Sequence, residues 1–323
     1  MEMKRIAVLA SGGDAPGMNA CVRAVVRAGT HRGLEVFGVK DGYDGLLSHQ
    51  LITLQRHDVS NIIQRGGVIL GSLRCKEFYT PEGRAKGAQA LREAGIDGLI
   101  AIGGDGTLRG AKALAAECGV IAMLVPATID NDAPATDWCI GFDTAVNTAV
   151  DAVDRLRDTA EATERVFFVE VMGRESGALA LHAGIAAGAD AIIVPEMEMD
   201  IDQLSGLLNR AIARHSRSLI VVVAEGETAG GVFAIAERVQ PRIKLDCRVT
   251  VLGHIQRGGT PTARDRLLAS RLGIAAVQAL IEGKTGHVVG EIDGNMVLTP
   301  FAALTEEKRL APLALLQLMP DLF

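Results

Sequence analysis

The sequence predicts an α/β protein of two domains with mostly parallel sheets. Short apolar runs of the kind found in buried parallel strands alternate with glycine-rich loops and helical patterns along the chain. The chain has 323 residues, more than one hydrophobic core usually serves, which favours two domains. Aromatic residues make up only 3% of the chain and glycines number 37, a balance that suits small-residue α/β packing with many tight loops.

The first half of the chain predicts one series of strands and helices. Helices are expected from the loop after the first strand to Gly33, from Thr80 to Gly95, and from about Thr107 onward, because cap residues or glycines stand at these ends. A turn is expected over 41–45, where Asp and Gly cluster. The predicted strands are 5–10, 34–39, 98–102 and 120–125.

The same pattern recurs in the second half, which predicts a second sheet. A helix over 143–157 carries its apolar residues on one face and is expected to pack on a core. A long helix is expected over 261–282. The predicted strands are 166–171, 191–194, 219–223 and 248–252.

The composition excludes several classes of protein. A net charge of −6 with scattered arginines leaves no basic surface for nucleic acid, and no apolar stretch approaches the roughly 18 residues of a membrane span. Residues 1–10 lack the pattern of a signal peptide, so a cytoplasmic protein is expected. Five cysteines without a C-x-x-C pair argue against a disulfide framework or a zinc site. Cys75 lies in a polar loop and is expected to be accessible.

Two polar loops follow neighbouring strands of the first half and predict a phosphate site. Loop 103–107 is rich in glycine and opens a helix, so a phosphate can approach its backbone N–H groups. Loop 126–132 puts Thr128 and Asp130 at a strand end, where open parallel sheets bind ligands. Asp105 suits a Mg²⁺ ion bound with a nucleotide, because carboxylates hold that ion together with phosphate oxygens. Taken alone, loop 126–132 is equally a turn with a helix cap.

Three further loops follow predicted strands and complete a set of five motifs. They span 12–19, 171–174 and 252–259. With the five motifs in this order, the chain resembles the bacterial-type ATP-dependent 6-phosphofructokinases along nearly its whole length. The resemblance implies two Rossmann-like three-layer domains with mostly parallel sheets and the active site in the interdomain cleft.

The resemblance also implies discontinuous domains, because the last helices cross back. The nucleotide-binding domain is expected over 1–141 plus 256–306. The sugar-phosphate-binding domain is expected over 142–255 plus 307–323.

The activity implied by the resemblance is phosphorylation of fructose 6-phosphate at its 1-hydroxyl with Mg-ATP, the committing step of glycolysis. Asp130 is implied to be the base. Thr128 and Arg174 would steady the transferring phosphoryl group, Arg74 would bridge to the nucleotide, and Asp105 would hold Mg²⁺. These roles agree with phosphoryl transfer, which depends mostly on positioning and charge neutralisation. The substrate-binding residues implied are Thr128, Asp130, Asp132, Arg165, Met172, Gly173, Arg174, Glu225, Arg248, His254 and Arg257.

Nucleotide and effector sites follow from the same resemblance. Arg165 and Arg248 are implied to complete the sugar site of a neighbouring subunit, so a homotetramer is expected. The nucleotide-binding residues implied are Gly13, Tyr43, Arg74, Cys75, Gly104, Asp105, Gly106 and Thr107. A regulatory pocket between subunits for ADP or phosphoenolpyruvate is implied, formed by Arg23, Arg27, Arg56, Arg157, Gly188, Asp190, Arg214 and Arg217.

Three positions depart from the family's pattern. Cys75 stands where many bacterial relatives carry an aromatic residue near the adenine, and Ala127 replaces a common glycine before Thr128. Ser216 replaces a lysine common in the regulatory pocket, which predicts weaker anion binding there.

Two other functions remain open at the level of sequence. A pyrophosphate-dependent relative would carry bulky or charged residues at the positions of Gly106 and Ala127, where this chain has small ones. A non-catalytic sugar-phosphate sensor on the same fold is the second, since a fold does not guarantee activity. The presence of Asp105, Asp130 and Arg174 together argues against a sensor.

Overall fold

The computed structural model describes residues 3–214, 218–226, 230–304 and 311–322. The chain divides into two compact units. The first unit comprises Met1–Thr128, Ala133–Thr144 and Arg257–Lys308, and the second comprises Ile129–Asp132, Ala145–Gln256 and Arg309–Phe323. Ile129–Asp132 therefore groups with the second unit, whereas the boundaries expected from the sequence kept this segment with the first.

The strands within the described residues are, in chain order, β1 Arg5–Ala10, β2 Glu35–Val39, β3 Leu51–Leu54, β4 Gly98–Gly103, β5 Ala122–Pro126, β6 Val166–Val171, β7 Ala191–Ile193, β8 Leu219–Ala224, β9 Cys247–Val251, β10 His287–Ile292 and β11 Asn295–Pro300. The α-helices are α1 Met18–His31, α2 Gly42–Leu47, α3 Pro81–Glu93, α4 Asp105–Cys118, α5 Phe142–Thr163, α6 Ala178–Ala186, α7 Ile201–Ala213, α8 Val232–Val239, α9 Ala263–Ile281 and α10 Leu313–Leu322. Short 3-10 helices lie at Glu77–Tyr79, Gln240–Arg242, Gly253–Arg257 and Phe301–Ala303.

The first unit contains a seven-stranded sheet in the order β11-β10-β5-β4-β1-β2-β3. The five inner strands run parallel, and β11 and β3 pair antiparallel at the two edges. β1 and β4 are buried almost throughout, as expected for central strands whose two faces are both covered. Because these strands are parallel, their carboxyl ends lie at one edge of the sheet, and the loops that follow them are neighbours.

The second unit contains a four-stranded parallel sheet in the order β7-β8-β6-β9. β6 and β8 lie in the middle and are almost fully buried, and their apolar side chains form a core with residues of α7 and α8. β9 is an edge strand and is partly exposed. Both sheets are mostly parallel, which confirms the predicted α/β class.

Two expectations about the first unit are wrong. The segment expected as a turn over 41–45 opens the helix α2. Asp41 and Gly42 do have positive φ angles of 54° and 64°, but Leu46, one turn later, is buried and holds the segment helical. Cys75, expected to be accessible, is buried in the core cluster with Tyr43 and Phe78.

Other elements follow the sequence more closely. β6 spans the predicted residues, and Thr80 caps α3 by accepting a hydrogen bond from the N–H of Gly83. α4 begins at Asp105, two residues before its predicted start. No helix in the described ranges is both long and apolar enough to cross a membrane.

Candidate active site

The loops after β1, β4 and β5 are joined by backbone hydrogen bonds in the first unit. The N–H of Ser11 donates to the carbonyl of Ile102 at 3.0 Å, and the N–H of Ala127 donates to the carbonyl of Gly103 at 3.0 Å. The register of β4 and β5 places Gly103 opposite Pro126. The sequence motifs 12–19, 103–107 and 126–132 therefore start side by side.

The loop between β4 and α4 is shaped for close backbone approach. The hydroxyl of Thr107 donates to the carbonyl of Ser11 at 2.8 Å, which ties the first turn of α4 to the loop after β1. A Cβ at Gly103 would overlap Thr107 Oγ1 and the Ser11 carbonyl, whereas a Cβ at Gly106 would have no atom within 4 Å. Open space at Gly106 and the positive end of the α4 dipole together suit a phosphate.

Thr128 lies beside this loop. Its N–H donates to the carbonyl of Ile140 at 3.1 Å, and its Cβ would be 3.4 Å from a Cβ built at Gly104. Thr128 is buried in the chain as described. A phosphate held at the start of α4 would therefore lie near Thr128, at the carboxyl ends of the parallel strands.

Asp105 is the predicted metal ligand, and its carboxylate is accessible. It forms an ion pair with Arg109 Nη2 at 2.6 Å and is about one-third exposed. The described part of the chain holds no cluster of three or more His, Cys, Asp or Glu side chains that could bind a metal by themselves. Mg²⁺ needs no such cluster, because one or two carboxylates with phosphate oxygens and water complete its shell. Asp105 at a phosphate-binding loop thus fits a magnesium ion that arrives with a nucleotide.

Arg257 lies over the first glycine loop. Its Nη1 donates to the carbonyl of Asp14 at 3.2 Å and would be 2.7 Å from a Cβ at Gly13. Because Gly13 has no side chain, the Arg257 guanidinium can occupy the space beside it. In the first unit, therefore, Arg257 contacts the loop expected to bind nucleotide.

Tyr43 is buried and supports the start of α4. Its ring stacks on Phe78 with centroids 3.9 Å apart, and its hydroxyl donates to the carbonyl of Thr107 at 2.9 Å. Burial raises the pKa of Tyr43 and also that of the Cys75 thiol nearby. Arg74, next in the chain to Cys75, is exposed and available to a ligand.

The second unit brings together two of the residues expected to carry the chemistry, Asp130 and Arg174. Asp130 is 2% exposed, and its Oδ2 lies 3.5 Å from Arg174 Nε. The N–H of Arg174 donates to Glu225 Oε1 at 2.9 Å. Arg174 has φ 53° and Gly173 has φ 146°, so the chain turns sharply after β6. A Cβ at Gly226 would overlap the carbonyl oxygen of Arg174, so glycine is required where the two loops meet.

Three other predicted sugar residues, Met172, Asp132 and His254, also lie in the second unit. Met172 and Asp132 are buried, and His254 is exposed in the 3-10 helix that follows β9. β6 and β9 are parallel neighbours, so His254 and Met172 both follow carboxyl ends of this sheet.

Arg165 and Arg248 lie at the other end of the same strands. Arg165 immediately precedes β6, and Arg248 pairs with Phe167 near the start of β9. A six-residue strand is about 20 Å long, which is the distance from this amino end to the turn that carries Arg174. The second unit does not bring Arg165 and Arg248 to its own cluster around Asp130.

A model of the family described as Phosphofructokinase matches residues 5–280. The chain belongs to the phosphofructokinase family. An ATP-dependent 6-phosphofructokinase of Thermus thermophilus is 54% identical over 316 residues, which cover 98% of this chain and 98% of that protein. One from Bacillus velezensis is 48% identical over 320 residues, with 99% of each chain covered.

Solved structures of phosphofructokinases share the fold. One from Saccharomyces cerevisiae matches with a TM-score of 0.87 and 37% identity over 93% of this chain, which spans 45% of the yeast chain. A pyrophosphate-dependent phosphofructokinase from Marinobacter aquaeolei matches with a TM-score of 0.85 over 97% of this chain and 86% of that one. At 22% identity, the second match supports the phosphofructokinase fold alone.

The arginines expected at a regulatory pocket of this phosphofructokinase family member form a cluster in the first unit. Arg23 and Arg27 are half-buried on one face of α1. Burial lowers the pKa of Arg23, and the positive charges of Arg27 and Arg56 lower it further. Arg27 Nε is buried, and no hydrogen-bond partner for it lies among the described residues. Three cations held together in this way favour an anion.

The second unit holds the other expected regulatory residues. Arg157 Nη2 donates to the carbonyls of Ala187 and Gly188 at 2.7 Å and 2.6 Å. Burial raises the pKa of Asp190, whose carboxylate accepts from the N–H of Ile220 at 2.8 Å; that bond and the Arg157 charge oppose the shift. Arg214 is exposed at the end of α7, and Arg217 lies outside the described residues, as does Ser216.

Asn19 is a site-supporting residue to which the sequence assigned no role. It is buried on α1, and its Nδ2 donates to the carbonyls of Arg65 and Gly66 at 3.1 Å and 3.2 Å. Its Oδ1 accepts from the N–H of Ile69 at 2.8 Å, so Asn19 fixes the segment that leads to Arg74. Its position at the end of motif 12–19 was the available signal, but the partners are too distant in sequence to be named from it.

Proposed function

We propose that this protein is an ATP-dependent 6-phosphofructokinase. It transfers the γ-phosphoryl group of ATP to the 1-hydroxyl of fructose 6-phosphate and gives fructose 1,6-bisphosphate and ADP, the committing step of glycolysis. The observation that carries the proposal is the buried Asp130 carboxylate beside the Arg174 guanidinium at 3.5 Å. A base next to a cation is what transfer of an anionic group to a hydroxyl requires.

The reaction follows from these residues. Asp130 accepts the proton of the 1-hydroxyl as the sugar oxygen forms a bond to the γ-phosphorus. The bond from that phosphorus to the bridging oxygen breaks, and ADP leaves with the electron pair. Arg174 and Thr128 stabilise the charge on the transferring group, since such a transition state spreads charge over its equatorial oxygens. Arg74 contacts the nucleotide phosphates.

The nucleotide side uses the first unit. Gly13, Gly104, Gly106 and Thr107 provide the phosphate-binding backbone, with Tyr43 and Cys75 behind it. Asp105 would hold Mg²⁺, which would neutralise charge on the phosphates when bound. The open space at Gly106 and the small side chain of Ala127 support a nucleoside triphosphate over pyrophosphate.

The sugar side uses Asp132, Met172, Gly173, Glu225 and His254, with Arg257 and two arginines from a neighbouring subunit. Arg165 and Arg248 lie a strand's length from Arg174 in their own unit, which supports their action in another subunit's site. We therefore infer a symmetric homotetramer in the cytoplasm. Shared sites make assembly a condition of full activity.

Regulation by ADP or phosphoenolpyruvate is part of the proposal. The cluster of Arg23, Arg27 and Arg56 supports an anionic effector. An effector acts through its different affinity for two states, so we expect a change in the half-saturating sugar concentration and not in kcat. Sugar saturation curves with each effector, on the parent and on Arg157→Ala and Arg214→Ala, test this. If the parent's sugar saturation curve is the same with and without each effector, and calorimetry detects no effector binding, the proposed regulatory site is wrong.

A coupled assay tests the activity itself. Purified protein is given fructose 6-phosphate with ATP, GTP or pyrophosphate, and fructose 1,6-bisphosphate is measured. We expect turnover with ATP in the presence of Mg²⁺. Turnover with pyrophosphate but not with ATP would show a pyrophosphate-dependent phosphofructokinase instead. Binding of the sugar phosphate without any turnover would show a non-catalytic sensor.

A further inference from the structure

A buried carboxylate that the proposed mechanism does not use lies behind the loop that carries Thr128. It belongs to Asp265 in the first turn of α9, and the residue is 1% exposed. Oδ1 accepts from the N–H of Gly141 at 2.9 Å, and Oδ2 accepts from the N–H and the hydroxyl of Thr144 at 2.8 Å and 2.5 Å. These three bonds connect α9 to the start of α5, more than 120 residues earlier.

The carboxylate is not used to cap its own helix. Thr262 is the N-cap of α9, and its hydroxyl accepts from the N–H of Asp265 at 3.3 Å. A Thr-x-x-acid pattern normally sends the acid back to the N–H of the cap residue. Here the N–H of Thr262 donates to Thr144 Oγ1 at 3.0 Å instead, which leaves the carboxylate for the start of α5. Burial raises the pKa of Asp265, and the charge of Asp143 adds to this, whereas the bonds from Thr144 and Gly141 favour the charged carboxylate.

The bonds of Asp265 reach the backbone of Thr128 through two consecutive residues, Gly141 and Ile140. Gly141 follows Ile140, whose N–H donates to the carbonyl of Pro126 at 3.1 Å and whose carbonyl accepts from the N–H of Thr128 at 3.1 Å. Ile140 is thus bonded on both sides of Ala127. A shift of Gly141 would move Ile140 and, with it, Thr128 beside the phosphate loop.

The same short segment packs against the first glycine loop with no spare room. Gly141 has φ 101°, and a Cβ there would be 2.6 Å from the Cβ of Ala15. A Cβ at Gly17 would be 2.8 Å from Ile140 Cγ2. Displacement at Gly141 would therefore disturb the first glycine loop as well as Thr128.

We propose that Asp265 is a positioning residue for phosphoryl transfer, which sets the place of Thr128 through Gly141 and Ile140. The proposal rests on the proposed function, because Thr128 matters only if it steadies the transferring group. Asp265 itself touches no reacting atom. The size of effect follows from geometry, since a misplacement of about 1 Å at a distance from the chemistry can lower a rate by about 10²-fold.

Asp265→Asn is compared with a matched control, Thr262→Ala. The asparagine keeps the shape but replaces one acceptor oxygen by an NH₂ group that faces N–H donors. Thr262→Ala removes the cap of α9 and the bond from Thr262 Oγ1 to Asp143, and leaves the three bonds of the carboxylate. We expect both variants to lower Tm by a few degrees.

The two variants are expected to differ in catalysis. Asp265→Asn should lower kcat by about 10- to 100-fold with KM for fructose 6-phosphate within about threefold of the parent, as for loss of an interaction made in the transition state. Thr262→Ala should keep kcat. Amide hydrogen exchange at Thr128 and Gly141, measured without substrates, should be faster in Asp265→Asn alone. If both variants lose Tm equally and keep the parental kcat and amide exchange rates, the proposal is overturned. Asp265 would then serve only to join α9 to α5.

A second variant keeps the test decisive if Asp265→Asn does not fold. Thr144→Val removes the hydroxyl bond to the carboxylate and the acceptor of the Thr262 N–H, and it preserves both N–H bonds to the carboxylate. Thr144→Ser restores the hydroxyl and both of its bonds. We expect a smaller loss of kcat in the valine variant, with rescue in the serine variant; equal kcat in both would overturn the proposal. A parent without phosphofructokinase activity would refute the proposed function, and the exchange at Thr128 would still show whether Asp265 fixes it.

Discussion

The two units differ in the kind of group that their predicted site residues offer. In the first unit the predicted phosphate contacts at Gly104 and Gly106 are backbone groups, and the side chains of Thr107 and Tyr43 hold that backbone in place. In the second unit the groups proposed to react are side chains, above all Asp130 and Arg174. A site made of backbone is sensitive to any added atom, whereas a site made of side chains is sensitive to the loss of one functional group.

The largest effect is expected from a functional group in the second unit. Asp130→Asn should lower kcat by about 10²- to 10⁴-fold, the usual contribution of a positioned base, with little change in sugar affinity. Asp97→Asn is the control, because that carboxylate accepts from the N–H groups of Lys4 and Arg5 away from the site. Steady-state kinetics on folded variants measure this. Near-normal turnover of Asp130→Asn would show that the side chain is not the base.

The next effect concerns the other end of the second sheet. Arg248→Ala should raise KM for fructose 6-phosphate by about 10- to 100-fold, since a hydrogen bond to a charged group contributes about 1.5–3 kcal/mol. Arg242→Ala, which removes an exposed ion pair with Asp202, is the control. Mixed Arg248→Ala and Asp130→Asn subunits should regain activity through hybrid sites. Failure of every mixture despite proven subunit exchange would exclude shared sites.

A glycine pair tests the backbone-built site of the first unit. Gly103→Ala should destabilise the protein by about 1–3 kcal/mol and impair nucleotide binding, because the added methyl group overlaps Thr107 and Ser11. Gly106→Ala, three residues on, meets open space and should fold like the parent. Urea unfolding and calorimetric titration with Mg-ATP provide the two measurements. Equal stabilities for both variants would mean that the loop is looser than its contacts indicate.

The smallest effect is a pH dependence in the second unit. Burial raises the pKa of the Cys247 thiol from 9.0 to about 11; the charge of Asp246 adds to this, and that of Arg248 opposes it. A folded pKa above the unfolded one means that this contribution to stability is complete below pH 9.0 and is lost as pH rises through about 11. Between these values the parent should lose more stability than Cys247→Ala in urea unfolding. If the parent and Cys247→Ala lose stability equally over this pH range, the pKa of the Cys247 thiol is not raised by folding.

The sequence predicted what depends on local pattern. The buried strands, their parallel arrangement and the polar loops at strand ends follow from apolar runs and glycine, and β6 with the turn at Arg174 is an example. The contact of Arg257 with the loop at Gly13 and the burial of Cys75 depend on partners far away in the chain. Asp265 shows the same limit: its spacing from Thr262 indicates a cap, and only tertiary packing redirects its carboxylate to α5.

Arg174 stands at φ 53°, where an L-residue other than glycine is strained by about 1 kcal/mol or more. Glycine or asparagine at this position would relieve that strain, and neither would place a guanidinium beside Asp130. Selection for heat resistance alone would therefore disfavour the arginine that we propose steadies the transferring group. A programme that stabilises this protein by random libraries needs a catalytic screen at this turn, because thermal tolerance and the proposed role of Arg174 favour different residues.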